Sequence, residues 1–259
     1  MIHLLKKIRR KLLAEKRLSN YVLYAIGEIL LVVIGIVLAI QFSNWNAKKA
    51  EIKKEIWYLD NMANDMFNQQ QELNYLKDYY INSLSISKNI LIDLYKKKSF
   101  KSIDSLFFKL NELKISDPFP NVDNTYKELV SSGQVALIEN DDLILDIIDF
   151  YIYNEKLENH FKTSQERIFY GEIYGVLNKF APINLSEYTN DENILLEDSK
   201  TTNYIFNELE IPKNKLELTN AIKNKIIITS DYKNNVAESL KMIDTMMKAI
   251  DDEIDLLEN

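Results

Sequence analysis

The chain has 259 residues, no cysteine, five glycines and four prolines, with 32 basic against 39 acidic side chains. Disulfides, thiolate metal sites and a cysteine nucleophile are therefore excluded, and so few turn residues favour long helices over a sandwich or barrel. Charge is unevenly placed: beyond residue 45 there are 25 basic against 37 acidic groups, a net −12 that argues against a nucleic-acid partner.

The first twenty residues form a basic, amphipathic leader. Lys6, Lys7, Arg9, Arg10, Lys11, Lys16 and Arg17 surround an apolar face of Leu5, Ile8 and Leu12. That pattern suits a short helix on an anionic cytoplasmic leaflet, so membrane lipid is an expected partner.

Residues 21–45 read as a transmembrane anchor. Nineteen residues, 22–40, carry Glu28 as their only charge, and as a helix they span about 28 Å, close to the hydrocarbon thickness of a bilayer. Tyr21 and Tyr24 stand at one end and Phe42 and Trp45 at the other, where interfacial aromatics belong. The run is too long for a signal-peptide core and lacks a small-x-small cleavage site, which favours an uncleaved anchor. More basic residues precede the span than follow it. This predicts an inner-membrane protein with its N-terminus in the cytoplasm and residues 46–259 in the periplasm.

Within the span Ala25, Glu28, Val32, Gly35, Ala39 and Phe42 follow a 3–4 spacing that aligns them on one face. Gly35 and Ala39 form a small-xxx-small pair, which lets membrane helices approach closely. An acid in hydrocarbon costs at least about 2.5 kcal/mol and normally faces protein or water. Three roles fit Glu28: a polar contact in a helix–helix interface, an acid tolerated near the headgroups, or a titrating group in an ion-coupled assembly. The expected partner is a second copy of the chain or another membrane protein.

The stretch KIRRKLLAEKRLSNYVLYAIGEILLVVIGIVLAIQFSNWN, through Tyr24, Ala25, Ile26, Gly27, Glu28, Gly35, Gln41, Asn44, Trp45 and Asn46, resembles the N-terminal signature of an uncharacterised bacterial single-pass membrane family. The likeness continues through ELVSSGQVALIENDDL at residues 128–143. It implies an anchored architecture and brings no activity with it.

After Trp45 a heptad seam is predicted through Ile52, Ile56, Leu59, Ala63, Met66, Gln70, Leu73, Lys77, Tyr80, Leu84, Ser87, Leu91 and Leu94, closed by Lys96, Lys97 and Lys98. Leu106, Leu110 and Leu113 suggest a shorter helix, and ISDPFPNVDN, with Pro118 and Pro120, a break. Gly133 reads as a left-handed cap and Asn140 as the N-cap of a helix with the seam Leu143, Ile147, Phe150, Asn154, Leu157, Phe161, Ser164 and Ile168. A polar, irregular stretch is expected at 181–200. A last seam runs through Ile222, Ile226, Thr229, Lys233, Val236, Leu240, Ile243, Met247 and Ile250 to the C-terminus. The fold expected is all-α, an N-terminal transmembrane helix followed by an elongated antiparallel helical bundle.

Motifs for chemistry are missing. The two histidines, His3 and His160, are isolated, SSGQ at 131–134 is no nucleophile elbow, and neither GxGxxG, GxxxxGK nor an EF-hand loop occurs. No catalytic residue, metal or cofactor is predicted, and the chain is read as a non-enzyme. The expectation is an envelope scaffold or sensor working through protein–protein contacts. Its layout is similar to four-helix sensor domains of bacterial receptors, without their second span. The alternative is a subunit of an ion-coupled or transport assembly that uses Glu28.

Overall fold

The computed structural model describes residues 18–183, 185 and 199–259. The basic leader residues Lys6, Lys7, Arg9, Arg10, Lys11, Lys16 and Arg17 lie outside the described residues, as does most of the expected irregular stretch. Every regular element among the described residues is helical. The chain divides into two compact units, Met1–Ile56 and Trp57–Asn259.

Helix α1 covers Leu18–Lys97, so the apolar run and the first seam share one helix. Among the described residues it is the one helix long and apolar enough to cross a membrane, and no residue of its most apolar stretch is buried. It ends as predicted, with Lys96 and Lys97 in the last turn and Lys98 in a left-handed conformation (φ 63°).

Residues 57–259 form a helical domain. A 3-10 turn at Phe100–Ser102 leads to α2 (Leu106–Glu112), where the predicted Leu106, Leu110 and Leu113 are all buried. An irregular segment follows, then α3 (Asn124–Ser131) and a second 3-10 turn at Val135–Leu137. Helix α3 ends in a Schellman motif: Gly133 takes φ +69°, its N–H donates to the Val130 carbonyl, and Gln134 N–H donates to the Leu129 carbonyl. Helix α4 (Asp141–Ser164) starts where the sequence places it, with the Asn140 side chain accepting from Leu143 N–H at 3.1 Å and Asp141 and Asp142 in the first turn.

Helix α4 passes without a break into a π-helical segment, Gln165–Tyr174, and then α5 (Gly175–Phe180). The wider π turn delays the buried face by one residue. Phe169 and Ile173 are buried, whereas the predicted Ser164 and Ile168 are only partly so. Helix α6 (Ser199–Glu210) precedes α7 (Pro212–Glu258), whose first turn is pre-set by Pro212.

Side-chain contacts give the topology of this domain. Helix α7 is antiparallel to α1, since Gln70 bonds Asp244, Tyr80 packs on Tyr232 and Lys215 Nζ reaches the Lys98 carbonyl. It is also antiparallel to α4, through Asn140–Glu253, Asn154–Ser239 and Phe161–Tyr232. Helices α1 and α4 therefore run the same way. The chain returns between them along α1, with Pro120 at Gln69, Thr125 at Asp65 and Gln134 at Tyr58.

Two apolar cores result. One gathers Leu59, Met62, Met66, Leu73, Ile147, Phe150, Val236 and Ile243; the other gathers Ile90, Phe100, Leu110, Phe169, Leu177, Leu209 and Leu218. The observed seams differ from the 4–3 reading in a regular way. In α1 the predicted Leu59, Met66, Leu73, Tyr80, Leu84 and Ser87 are buried, but Met62, Gln69, Leu76 and Ile90 are buried one residue earlier than expected, and Ser83 is buried beside Leu84. In α7 Ile222, Thr229, Val236, Ile243 and Ile250 hold, and Lys225, Tyr232, Ser239 and Met246 replace Ile226, Lys233, Leu240 and Met247. At 3.6 residues per turn a step of three or of four reaches the same stripe, and the neighbouring element decides which is covered.

Candidate functional site

The shift by one residue places a lysine inside the domain. Lys225 is 2% exposed, and its Nζ donates to the Ile115 carbonyl at 2.7 Å and stands 3.5 Å from the Tyr79 hydroxyl. It lies over the Phe169 ring at 4.6 Å from the centroid. Phe169 belongs to one core and Tyr79 packs against the other, so the amine sits where the two meet. Among the described residues no ion pair includes it. Burial, partly opposed by the charge of Asp117, lowers its pKa from 10.5 to about 7. Burial also raises the Tyr79 and Tyr80 hydroxyls well above the usual tyrosine range.

The segment around Ile115 is the break read in the sequence, and it has no helix of its own. Its carbonyls are instead satisfied by side chains from three elements. Ile115 accepts from Tyr79 of α1 (2.7 Å) and Lys225 of α7, Ser116 from Gln165 at the start of the π segment (3.1 Å), and Pro120 from Gln69 of α1 (2.9 Å). The Gln69 Oε1 is buried without a hydrogen-bond partner. Just beyond, Asp65 accepts from the Thr125 N–H at 2.9 Å, capping α3 from another helix.

A groove opens between this segment and α1. It is lined by Gln71, Glu72, Tyr75 and Leu76 on one side and Asp117, Pro118 and Pro120 on the other, and is an open groove of about 490 Å³. That volume is in the range of small-molecule sites. A second groove of about 400 Å³ lies between α4 and α7, where Lys241 stands among Asp146, Asp149 and Glu238. Among the described residues no group of three or more His, Asp or Glu is placed to hold a metal ion. His160 pairs with Asp231 at 2.7 Å on the surface.

The residues singled out on the apolar run are placed as follows. Glu28, Val32, Gly35 and Ala39 are exposed on α1 and Ala25 is half-exposed; nothing lies within 4 Å of a Cβ built on Gly35. Phe42 and Trp45 are exposed with ring centroids 5.9 Å apart, and Lys49 lies 4.1 Å over the Trp45 ring. The side chains of Tyr21 and Tyr24 lie outside the described residues. The described anchor residues lie along α1, and the groove and the buried lysine are separate from them in sequence. Lys225, Gln69 and the π segment were missed in the sequence because a lysine, a glutamine and a helix of ordinary composition carry no apolar signal.

A sequence family described as a family of unknown function, DUF6090, matches residues 28–198. The chain belongs to DUF6090. The matched range starts at Glu28 and includes the rest of the apolar run, the groove, α4 and the π segment. Lys225 and the rest of α7 lie beyond it, so the amine that holds Ile115 comes from outside the part of the chain that defines DUF6090 membership. No curated protein and no solved structure matches the chain.

Proposed function

We propose that this DUF6090 member is a single-pass, membrane-anchored helical protein of the bacterial inner membrane that works as an envelope scaffold or sensor through protein–protein contacts. The observation that carries the reading is the apolar stretch of α1, none of which is buried. An 18-residue apolar stretch left bare in water would cost tens of kcal/mol at about 25 cal/mol per Å², and lipid removes that cost. The anchor is residues 21–45, with Phe42 and Trp45 at one interface, and the basic leader lies on the cytoplasmic leaflet. Residues 46–259 form the periplasmic part. A second copy or another membrane protein docks on the Ala25, Glu28, Val32, Gly35 and Ala39 stripe, with Glu28 hydrogen-bonded across the contact. The reading is non-catalytic.

The chain has no cysteine, which makes the test simple. His3→Cys and Asn259→Cys variants are expressed in bacteria, and intact cells with a permeabilised outer membrane are treated with a membrane-impermeant maleimide. Labelling at position 259 and protection at position 3 is the expected result, with the protein retained in the membrane after alkaline washing. Release by the wash overturns the anchor, and the reverse labelling pattern overturns the orientation. Mass determination in gentle detergent tests the docking stripe: Gly35→Leu should dissociate the complex, and a wild-type monomer refutes it.

A further inference from the structure

The groove between α1 and the 115–120 segment has a one-sided chemistry. Its walls are apolar where Leu76, Pro118, Pro120 and the ring of Tyr75 meet, and Tyr75 is 68% exposed. The ionisable groups at its edge are both carboxylates, Glu72 from α1 and Asp117 from the irregular segment. Neither takes part in any of the described ion pairs. The prolines have no N–H to offer, so that wall has two fewer backbone donors than an ordinary segment. Behind it the fully buried Gln69 gives its N–H to the Pro120 carbonyl and so fixes that wall of the groove to α1. Lys225, whose amine reaches the same irregular segment, is buried and already committed to Ile115.

We infer that the groove binds a small organic cation, an ammonium or guanidinium group on an apolar body, with Asp117 and Glu72 receiving the charge and Tyr75 packing on the body. Each part of such a ligand meets a matching surface. The ammonium supplies donors to the two carboxylates, and the ring face of Tyr75 favours a cation for the same electrostatic reason. The open groove's volume of about 490 Å³ is in the range of a free small molecule. An anion would meet two carboxylates, with only the neutral Gln71 amide and Tyr75 hydroxyl as side-chain donors in the lining. The second groove has no such bias, because Lys241 stands among its acids. This inference is independent of the membrane reading, since every residue involved lies within 57–259.

The test is calorimetric titration of the full-length protein in detergent with 2-phenylethylamine, with 2-phenylethanol and phenylacetate as neutral and anionic controls of the same shape. Saturable binding of the amine alone is expected. Asp117→Asn and Glu72→Gln keep size and shape, and should weaken binding about tenfold and about fivefold, a charge-assisted bond being worth more at the less exposed group. Thermal melts of both variants should match the wild type. Glu72 is exposed, so Glu72→Gln remains informative if Asp117→Asn unfolds. Equal binding of amine and alcohol, or no saturable amine binding, overturns the inference. Binding of an acetylated Phe-Lys dipeptide amide with none of the free amine overturns the small-ligand assignment in favour of a partner's side chain.

Discussion

Lys225 Nζ and the carbonyl oxygen of Ile115 are 2.7 Å apart, and the same oxygen accepts the Tyr79 hydroxyl at 2.7 Å. One carbonyl of an irregular segment thus fastens α7 and α1 together and uses both its lone pairs to do so. The amine it holds is in none of the described ion pairs, which makes this contact sensitive to pH.

Stability should rise with pH through the neutral and mildly alkaline range. Folding lowers the pKa of Lys225 from 10.5 to about 7, so between those values the unfolded chain binds a proton that the folded chain does not. Stability then increases with pH, by at most about 1.4 kcal/mol per unit, and levels off near the unfolded value. Tyr79, Tyr80, Tyr151 and Tyr232 act in the opposite sense: their pKa values are raised by burial, so above about pH 10 only the unfolded chain ionises them and stability falls. Thermal melts across this range should show a maximum near pH 10. In Lys225→Met the rise should be much smaller, reduced to what the lowered pKa of the partly buried Lys114 contributes, and the alkaline fall retained.

Gly133 is held at φ +69° by the two bonds of its Schellman motif. Gly133→Ala meets open space for its Cβ, so only backbone strain opposes it, at about 1–2 kcal/mol. A lowered melting temperature is expected, with a smaller loss for Gly133→Asn, whose side chain tolerates the left-handed region better.

Asn154 and Ser239 form a buried polar pair in the seam of α4 and α7, with Ser239 Oγ donating to Asn154 Oδ1 at 3.2 Å and the Asn154 amide nitrogen left unpartnered. Ser239→Ala should cost about 1–3 kcal/mol by stranding the Asn154 amide oxygen as well. The double variant Asn154→Leu with Ser239→Ala should recover most of that loss, and a double-mutant cycle of melting curves measures the coupling.

The His160–Asp231 pair, at 2.7 Å, joins the same two helices on their surface, with both side chains about half exposed (47% and 50%). Solvent screening limits it to about 0–1 kcal/mol. Asp231→Asn should leave the melting temperature within about a degree or two of the wild type, while the buried Asn154–Ser239 pair responds strongly.

Much of the architecture was legible because it rests on local signals. Asn140 caps α4 and Gly133 closes α3 as their chemistry predicts, since a side-chain acceptor before a helix and a left-handed glycine after one are decided within a few residues. The Pro118–Pro120 break is equally plain. Its role was not legible, because the residues that satisfy its carbonyls, Gln69, Tyr79, Gln165 and Lys225, come from three elements far apart along the chain. Each is a polar side chain that sequence rules send to solvent or to a seam edge.

By itself the sequence determined the helical class, the bare apolar stretch of α1 and every seventh residue of the buried stripes, such as Met66, Leu73, Thr229 and Val236. These follow from composition, length and helical period, which need no neighbour. The tertiary structure alone decided the intervening positions, putting Gln69 in place of Gln70 and Lys225 in place of Ile226. It also decided the π turn that carries Gln165 to the irregular segment and Phe169 into the core. The physical reason is that one helix offers two nearly equivalent stripes, and the free energy of covering one or the other belongs to the elements that pack on it.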